Sequence, residues 1–345
     1  MTPTGHSPIT QRRIAELAGV SQSTVSLVLN GETSARIPEE TRKRVLEVIR
    51  ENTYVADPAA RRLAGVGNKL IGVFTYEHAF PSEVSDFYAP LLTGIENGAE
   101  TLGFDLLMFT SAPVIDGHRQ IFHENSRLRL ADGCLLLGRE MDSAELERLL
   151  DTGYPFVALG RRDGADGRIP YVGLDYVTPT RDLARLALAA GHTQFFYVHF
   201  SQTAEASRDR FDSLRDALVG ATLTTTESTE VALEEIWRDF RASGATILFV
   251  ENPAEAETFH SLAKADGLDV PRDLSMVVLG ERSSAHDQAI DFTRLSAPRD
   301  ELGMRATVLL DQLLNGASGE QLPLQQLLDC VVVPGSTLAA PGVAQ

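Results

Sequence analysis

The sequence predicts an α/β protein in two unequal parts. A small, all-helical head comes first, and a larger body of two doubly wound subdomains follows. Three observations carry this expectation. Residues 11–49 repeat apolar side chains at helical spacing. From residue 70, short continuous apolar runs alternate with helical stretches, the mark of parallel strands covered on both faces. Charge also changes between the two parts. Of 31 Lys+Arg and 48 Asp+Glu in 345 residues, residues 1–62 hold nine and seven, leaving 22 basic and 41 acidic side chains for the rest.

In the head, Thr10 is placed to cap a first helix by accepting a bond from a backbone N–H of its first turn. Ile14, Leu17 and Ala18 form its apolar stripe, and Gly19 permits the left-handed turn that ends it. Ser21 is placed to cap a second helix whose inward stripe is Val25, Val28 and Leu29. Gln22, Ser23, Ser26 and Leu27 then face outward. Pro38 suits the first position of a third helix, with Glu39 and Glu40 in its first turn. Val45, Leu46, Val48 and Ile49 complete a three-helix core. Two helices joined by a Gly-containing turn make a helix-turn-helix if the second lies in a DNA groove. Hydroxyl and amide side chains there can bond phosphates and base edges. A small helical bundle with a polar face fits the same spacing.

In the body, LIGVFTY reads as a strand, Tyr88 to Leu102 as a helix and FDLLMFTS as a strand. DGCLLLG and YPFVALG are further strands, with helical stretches between. The cycle restarts at PYVGLDY and continues through a helix at Pro179–Ala190, FFYVHF, a helix at Ala206–Leu218, TILFV, a helix at Ala254–Ala265, and LSMVVLG. FTRLSAP and LLDCVVV are expected to return the chain to the first subdomain. Ligands in such folds lie beyond the carboxyl ends of the strands.

At 43% hydrophobic and 23% charged, the composition is that of a globular chain. No apolar run approaches the roughly 20 residues that a membrane-spanning helix needs. The first residues lack an apolar signal-peptide core, so a cytoplasmic location is expected. Cys134 and Cys330 each sit in an apolar segment and read as buried free thiols. The eight His and two Cys show no metal-ligand spacing. GxSxG, Walker and GxGxxG patterns are absent, so neither an enzyme nor a cofactor is expected.

The run IAELAGVSQSTVSLVLNG, followed by IPEETRKRVLEVIRENTYVADPAARRLAG, resembles the head of the lactose/galactose-repressor (LacI/GalR) family of bacterial transcription regulators. AGVS, TVS, LNG, the third helix and Tyr54 occur in the family's order. The resemblance implies a head over residues 1–56, a hinge helix and linker over 57–67, and a body over 68–345 like a periplasmic sugar-binding protein. Within that body the expected N-subdomain is about 68–168 plus 296–345, and the C-subdomain about 169–295. It further implies a homodimer on pseudo-palindromic operator DNA, repression controlled by a small-molecule effector of carbohydrate type, and no membrane contact.

By the same resemblance Ser21, Thr24, Ser26 and Asn30 would hold phosphates, with Thr10 and Tyr54 beside them. Gln22 and Ser23 would reach base edges. Leu27 stands where the family usually has a polar or basic reader, so its contact would be apolar, to a thymine methyl. Pro38 replaces a common Ser. Leu63 matches a hinge leucine that wedges between base steps, with Ala60 and Ala64 beside it.

In the body, Phe87 and Tyr88 match an aromatic pair lining the effector cleft, although ordinary helix-start packing would also explain them. Asp175 either accepts from a ligand or caps the following helix. Arg208 and Arg210 match an RxR pattern whose second Arg clamps ligand; a surface Arg is the alternative for Arg210. Glu251 departs from an Asn-Asp pair, and Glu281 stands in the usual Asp place. A ligand-binding protein with a vestigial head is the competing reading.

Overall fold

The computed structural model describes residues 9–29, 37–52, 54, 67–77, 82–115, 117–229, 231–280, 290–316 and 322–342, the side chains of 82–86 excepted. The chain divides into two compact units, residues 1–68 and 69–345. Asn30, Ala60, Leu63, Ala64 and Glu281 lie outside the described residues.

The first unit holds helices α1 (Gln11–Ala18), α2 (Gln22–Leu29) and α3 (Glu39–Glu51). The Thr10 hydroxyl accepts from the Arg13 N–H at 3.3 Å, and Gly19 ends α1 at φ 65°. The Ser21 hydroxyl accepts from the Thr24 N–H at 3.1 Å. Pro38 sits one position ahead of α3, as its N-cap. The buried core is Ile14, Ala15, Ala18, Val25, Val28 and Val45. Leu17 and Leu46, expected inside, are 45% and 46% exposed. Small Ala15 is buried in the core instead. The Arg44 guanidinium donates to the Ala18 carbonyl at 3.0 Å, tying α3 to the carboxyl end of α1.

The second unit has two six-stranded sheets. The first runs in the order β13 (Gln325–Asp329), β7 (Tyr171–Asp175), β6 (Phe156–Leu159), β5 (Gly133–Leu137), β1 (Leu70–Thr75), β2 (Asp105–Phe109), all parallel. The second runs β14 (Val331–Val333), β12 (Thr293–Ser296), β11 (Ser275–Val278), β10 (Ile247–Val250), β8 (Gln194–His199), β9 (Thr222–Glu227), with only β14 antiparallel. Strand side chains alternate between two buried faces. Phe195 and Tyr197 join one apolar cluster, while Phe196 and Val198 join another. That double burial is why these strands read as continuous apolar runs.

These pairings correct the expected division of the body. PYVGLDY does not start the second subdomain: Tyr171–Asp175 pairs inside the first sheet. FTRLSAP and the VVV run belong to the second sheet. The C-terminal stretch lies there too, with the Thr337 carbonyl accepting from the Met276 N–H at 2.8 Å. Among the described residues the chain crosses between lobes three times, at Tyr176, at Ala297–Pro298 and at Cys330. Apolar runs mark a buried strand but not its neighbour, so the restart could not be placed from sequence. Nor does a helix fill the interval between β2 and β5. A hairpin of β3 (Val114–Ile115) and β4 (His118–Arg119) and one turn of 3-10 helix occupy it. Pro113 and Gly117, the latter at φ 83°, interrupt any helical run there.

Helices α4 (Ser82–Leu102) and α5 (Ser143–Asp151) cover the first sheet. Helices α6 (Val177–Ala189), α7 (Glu205–Ala217), α8 (Leu233–Ser243) and α9 (Pro253–Ala265) cover the second. Helix α10 (Arg299–Leu314) returns the chain to the first lobe and packs along α4. No helix among the described residues is long and apolar enough to cross a membrane. Glycines permit the α4–α10 approach. A Cβ on Gly94 would collide with the Asp300 carbonyl, and one on Gly303 with that of Leu91. Gly94→Ala is therefore expected to lower stability by about 1–3 kcal/mol, the cost of overpacking a close crossing, measured by urea unfolding. An unchanged midpoint would mean that the helices are free to move apart.

Candidate functional site

In the head, Gln22 and Ser23 are exposed and Thr24, Ser26 and Leu27 half-buried, while Val25 and Val28 face the core. The side of α2 away from the core is thus short and mostly polar, as the spacing predicts. Two of the expected contact residues also hold the helices in shape. Thr10 caps α1, and the Ser21 hydroxyl both caps α2 and shares a hydrogen bond with the Thr24 hydroxyl at 2.9 Å. Tyr54 packs against the core.

In the body, a cavity of about 210 Å³ opens where the carboxyl ends of both sheets meet. The first lobe supplies Glu77, Arg139, Arg161 and Arg162, each within three residues of the end of β1, β5 or β6. The second lobe supplies Phe200 after β8, Glu251 after β10, and Ser207 and Arg210 from α7. Tyr176, Ala297 and Arg299, at two of the three crossings, also line it.

A buried ion pair organises the second-lobe wall. Arg210 Nη1 donates to Glu251 Oε1 at 2.9 Å and to the Ala206 carbonyl at 3.1 Å, and its Nε donates to the Leu279 carbonyl at 3.0 Å. The guanidinium lies over the Tyr176 ring, 3.5 Å from its centroid. Glu251 also accepts from the Ser207 hydroxyl at 2.6 Å, the Phe200 N–H at 3.1 Å and the Tyr197 hydroxyl at 3.3 Å. Burial and the Glu251 carboxylate hold the Tyr197 hydroxyl well above the usual tyrosine value, so it remains a donor. On the opposite wall the Tyr88 hydroxyl donates to Glu77, whose other oxygen accepts from the Arg139 N–H at 2.8 Å. Burial and Glu77 raise the Tyr88 hydroxyl in the same way.

Polar contacts bridge the two lobes beside the cavity. Arg161 makes a fork to Asp209 at 2.9 and 2.8 Å. Arg162 donates to Glu205 at 2.9 Å, and Arg208 to Asp163. The Thr203 hydroxyl donates to Glu140, and the Arg139 guanidinium lies over the Phe200 ring, 3.8 Å from its centroid.

Phe87, Tyr88, Arg210 and Glu251 are therefore brought together at one cavity. Two expected members are not. Asp175 caps α6, its Oδ1 accepting from the Val177 and Thr178 N–H groups at 2.9 and 3.2 Å, and it does not line the cavity. A carboxylate that ends a strand just before a helix satisfies that helix's free N–H groups first. Arg208 lies outside as well, paired with Asp163; two positions before Arg210 on α7, it points to another side of the helix. Arg139, Arg161, Arg162, Glu77 and Asp209 were missed. Their position just after apolar strands was the available signal for the first four; Asp209, inside a helix, carried none.

Arg210 and Glu251 are both buried and mutually satisfied. Removing either leaves an uncompensated charge. Arg210→Leu and Glu251→Leu are each expected to cost about 3–5 kcal/mol in denaturant unfolding, and the double variant less than their sum. Additive losses would show that the pair is not coupled.

Residues 11–57 match the family described as bacterial regulatory proteins, lacI family, and residues 184–338 match the periplasmic binding protein-like domain. The HTH-type transcriptional regulator CelR of Thermobifida fusca is 26% identical over 91% of this chain and 94% of its own. Among solved structures, the lac repressor dimer bound to operator and the anti-inducer ONPF superposes with a TM-score of 0.77 at 22% identity, covering 97% of this chain and all of that one. A CelR–cellobiose complex superposes at 0.65 with 22% identity, covering 95% and 99%. With a capped helix-turn-helix head that matches the lacI family of bacterial regulatory proteins, ahead of a two-lobed body that matches the periplasmic binding protein-like domain, the chain is a DNA-binding transcription regulator rather than an enzyme.

Proposed function

We propose that this regulator is a cytoplasmic repressor, that it binds a pseudo-palindromic operator as a homodimer, and that a small effector of carbohydrate type enters the cleft between its lobes. One observation supports DNA readout most directly: a helix whose inner face is Val25 and Val28 presents Gln22 and Ser23 to solvent. The charge distribution agrees, since a body with 22 basic and 41 acidic residues repels phosphate and leaves the contact to the head. The lac repressor was solved on its operator and CelR with cellobiose, which supports the same pair of partners here.

In this reading Ser21, Thr24, Ser26 and Asn30 hold phosphates, with Thr10 and Tyr54 setting the helix orientation. Gln22 and Ser23 bond base edges, and Leu27 meets a thymine methyl. Leu63, flanked by Ala60 and Ala64, enters a base step of the minor groove and kinks it. Effector binding shifts the balance between lobe arrangements that favour and disfavour the DNA-bound hinge. Phe87, Tyr88, Arg210 and Glu251 form the effector walls; Asp175 and Arg208 are left out.

Selection of bound duplexes from a random-sequence DNA pool tests this. The full chain is expected to recover a two-fold symmetric sequence whose affinity falls steeply with salt, while residues 68–345 recover none. Leu63→Ala should weaken that duplex by about 1–3 kcal/mol and unrelated DNA little. Sequence-specific recovery by the headless chain would overturn the reading.

A further inference from the structure

The walls of the cleft point to the chemistry of what it takes. A cavity selects ligands by the hydrogen-bonding capacity its walls leave over. Here the acceptors are engaged. Both oxygens of Glu251 accept from protein donors, Asp209 receives the Arg161 fork, and Glu77 receives Tyr88 and the Arg139 N–H. The Asn252 side-chain oxygen caps α9 by accepting from the Ala254 N–H at 3.1 Å.

Among the described residues five arginines, 139, 161, 162, 210 and 299, line the cavity, and all but the Arg139 guanidinium donate to protein acceptors, in a body where acidic residues outnumber basic ones almost two to one. The Arg139 guanidinium, lying over the Phe200 ring, makes no hydrogen bond or ion pair with a described residue. The first turns of α7 and α9 also line the cavity and add the positive ends of two helix dipoles. The remaining wall is apolar, with Leu91, Leu174, Leu295 and Leu302 among its residues.

A neutral polyol brings hydroxyls but no charge to pair with the Arg139 guanidinium. An anionic group brings acceptors only. We propose that the effector is an anionic carbohydrate whose carboxylate or phosphate is received by Arg139 at the mouth of the cleft, with its ring against the apolar wall. This rests on reading the cleft as the effector site.

Calorimetric titration of the full chain with matched probes tests it: glucose, glucuronate and glucose 6-phosphate, then galactose, galacturonate and galactose 6-phosphate. At least one anion is expected to bind at least about tenfold more tightly than its neutral parent, with affinity that falls as salt rises. The carboxylate and phosphate arms tell which group is taken. Arg139→Gln should weaken that anion about tenfold, the loss of one charge-assisted hydrogen bond, with its melting temperature unchanged, while Arg139→Lys keeps part of the affinity. Neutral sugars that bind as tightly as their anions, anions that give no heat at all, or an Arg139→Gln chain with full anion affinity would each overturn the proposal. The DNA selection run on the same preparation keeps the two readings apart. Anion binding without DNA recovery sinks the regulator model of the cleft, and DNA recovery without anion binding sinks only this proposal.

Discussion

Three passages of the chain, at Tyr176, at Ala297–Pro298 and at Cys330, hold the two lobes of the body together, and the cleft depends on them. Because each passage joins the carboxyl end of a strand in one lobe to an element of the other, the strand ends face one another across a shared space. Side chains at those ends have no sheet neighbour beyond them, so they fill the space with charge. The crossings themselves supply part of its lining, through Tyr176, Ala297 and Arg299. Short crossings also restrict how the lobes can move: rotation about three adjacent points is available, while wide separation is not.

Charges at the cleft fall into two groups with different physics. Arg210 and Glu251 are buried within one lobe, where five other protein groups complete their hydrogen bonding. Their removal would be felt as instability rather than as lost ligand contact. The pairs of Arg161, Arg162 and Arg208 with Asp209, Glu205 and Asp163 join opposite lobes; those of Arg161 and Arg208 are more accessible, while the Arg162 guanidinium is buried. The two accessible pairs contribute modestly and are weakened by salt, so they form a closure that can open without unfolding either lobe. A ligand that supplies acceptors between the lobes would strengthen that closure.

Helical spacing and apolar runs made most elements legible in the sequence, because both report burial directly. What they left out was pairing. Tyr171–Asp175 looks like any buried strand, and nothing in its residues says that it closes the first sheet. The threonine-rich edge strand at 222–227 shows no continuous apolar run, since one of its faces meets solvent, and apolar runs alone do not find it. Leu17 and Leu46 were expected inside the head on the apolar stripes of their helices, but Ala15 is buried there and both leucines are exposed. At the cleft, aromatic and RxR patterns located Phe87, Tyr88 and Arg210. They could not tell that Glu251 neutralises Arg210, nor that Asp175 serves its own helix. The arginines after β5 and β6 stand in no pattern; only the position of their strands' ends reveals them.

The central claim is that the cleft and the DNA-binding head act as one linked system. Linkage is reciprocal: a ligand that changes DNA affinity by some factor must have its own affinity changed by the same factor when DNA is present. The direct measurement is the dissociation constant of the selected duplex with and without saturating effector, beside that of the effector with and without saturating duplex. The account predicts equal factors in the two comparisons, on the order of 5-fold to 150-fold. Constants that do not change in either comparison would contradict it, leaving a head and a ligand-binding body that merely share a chain.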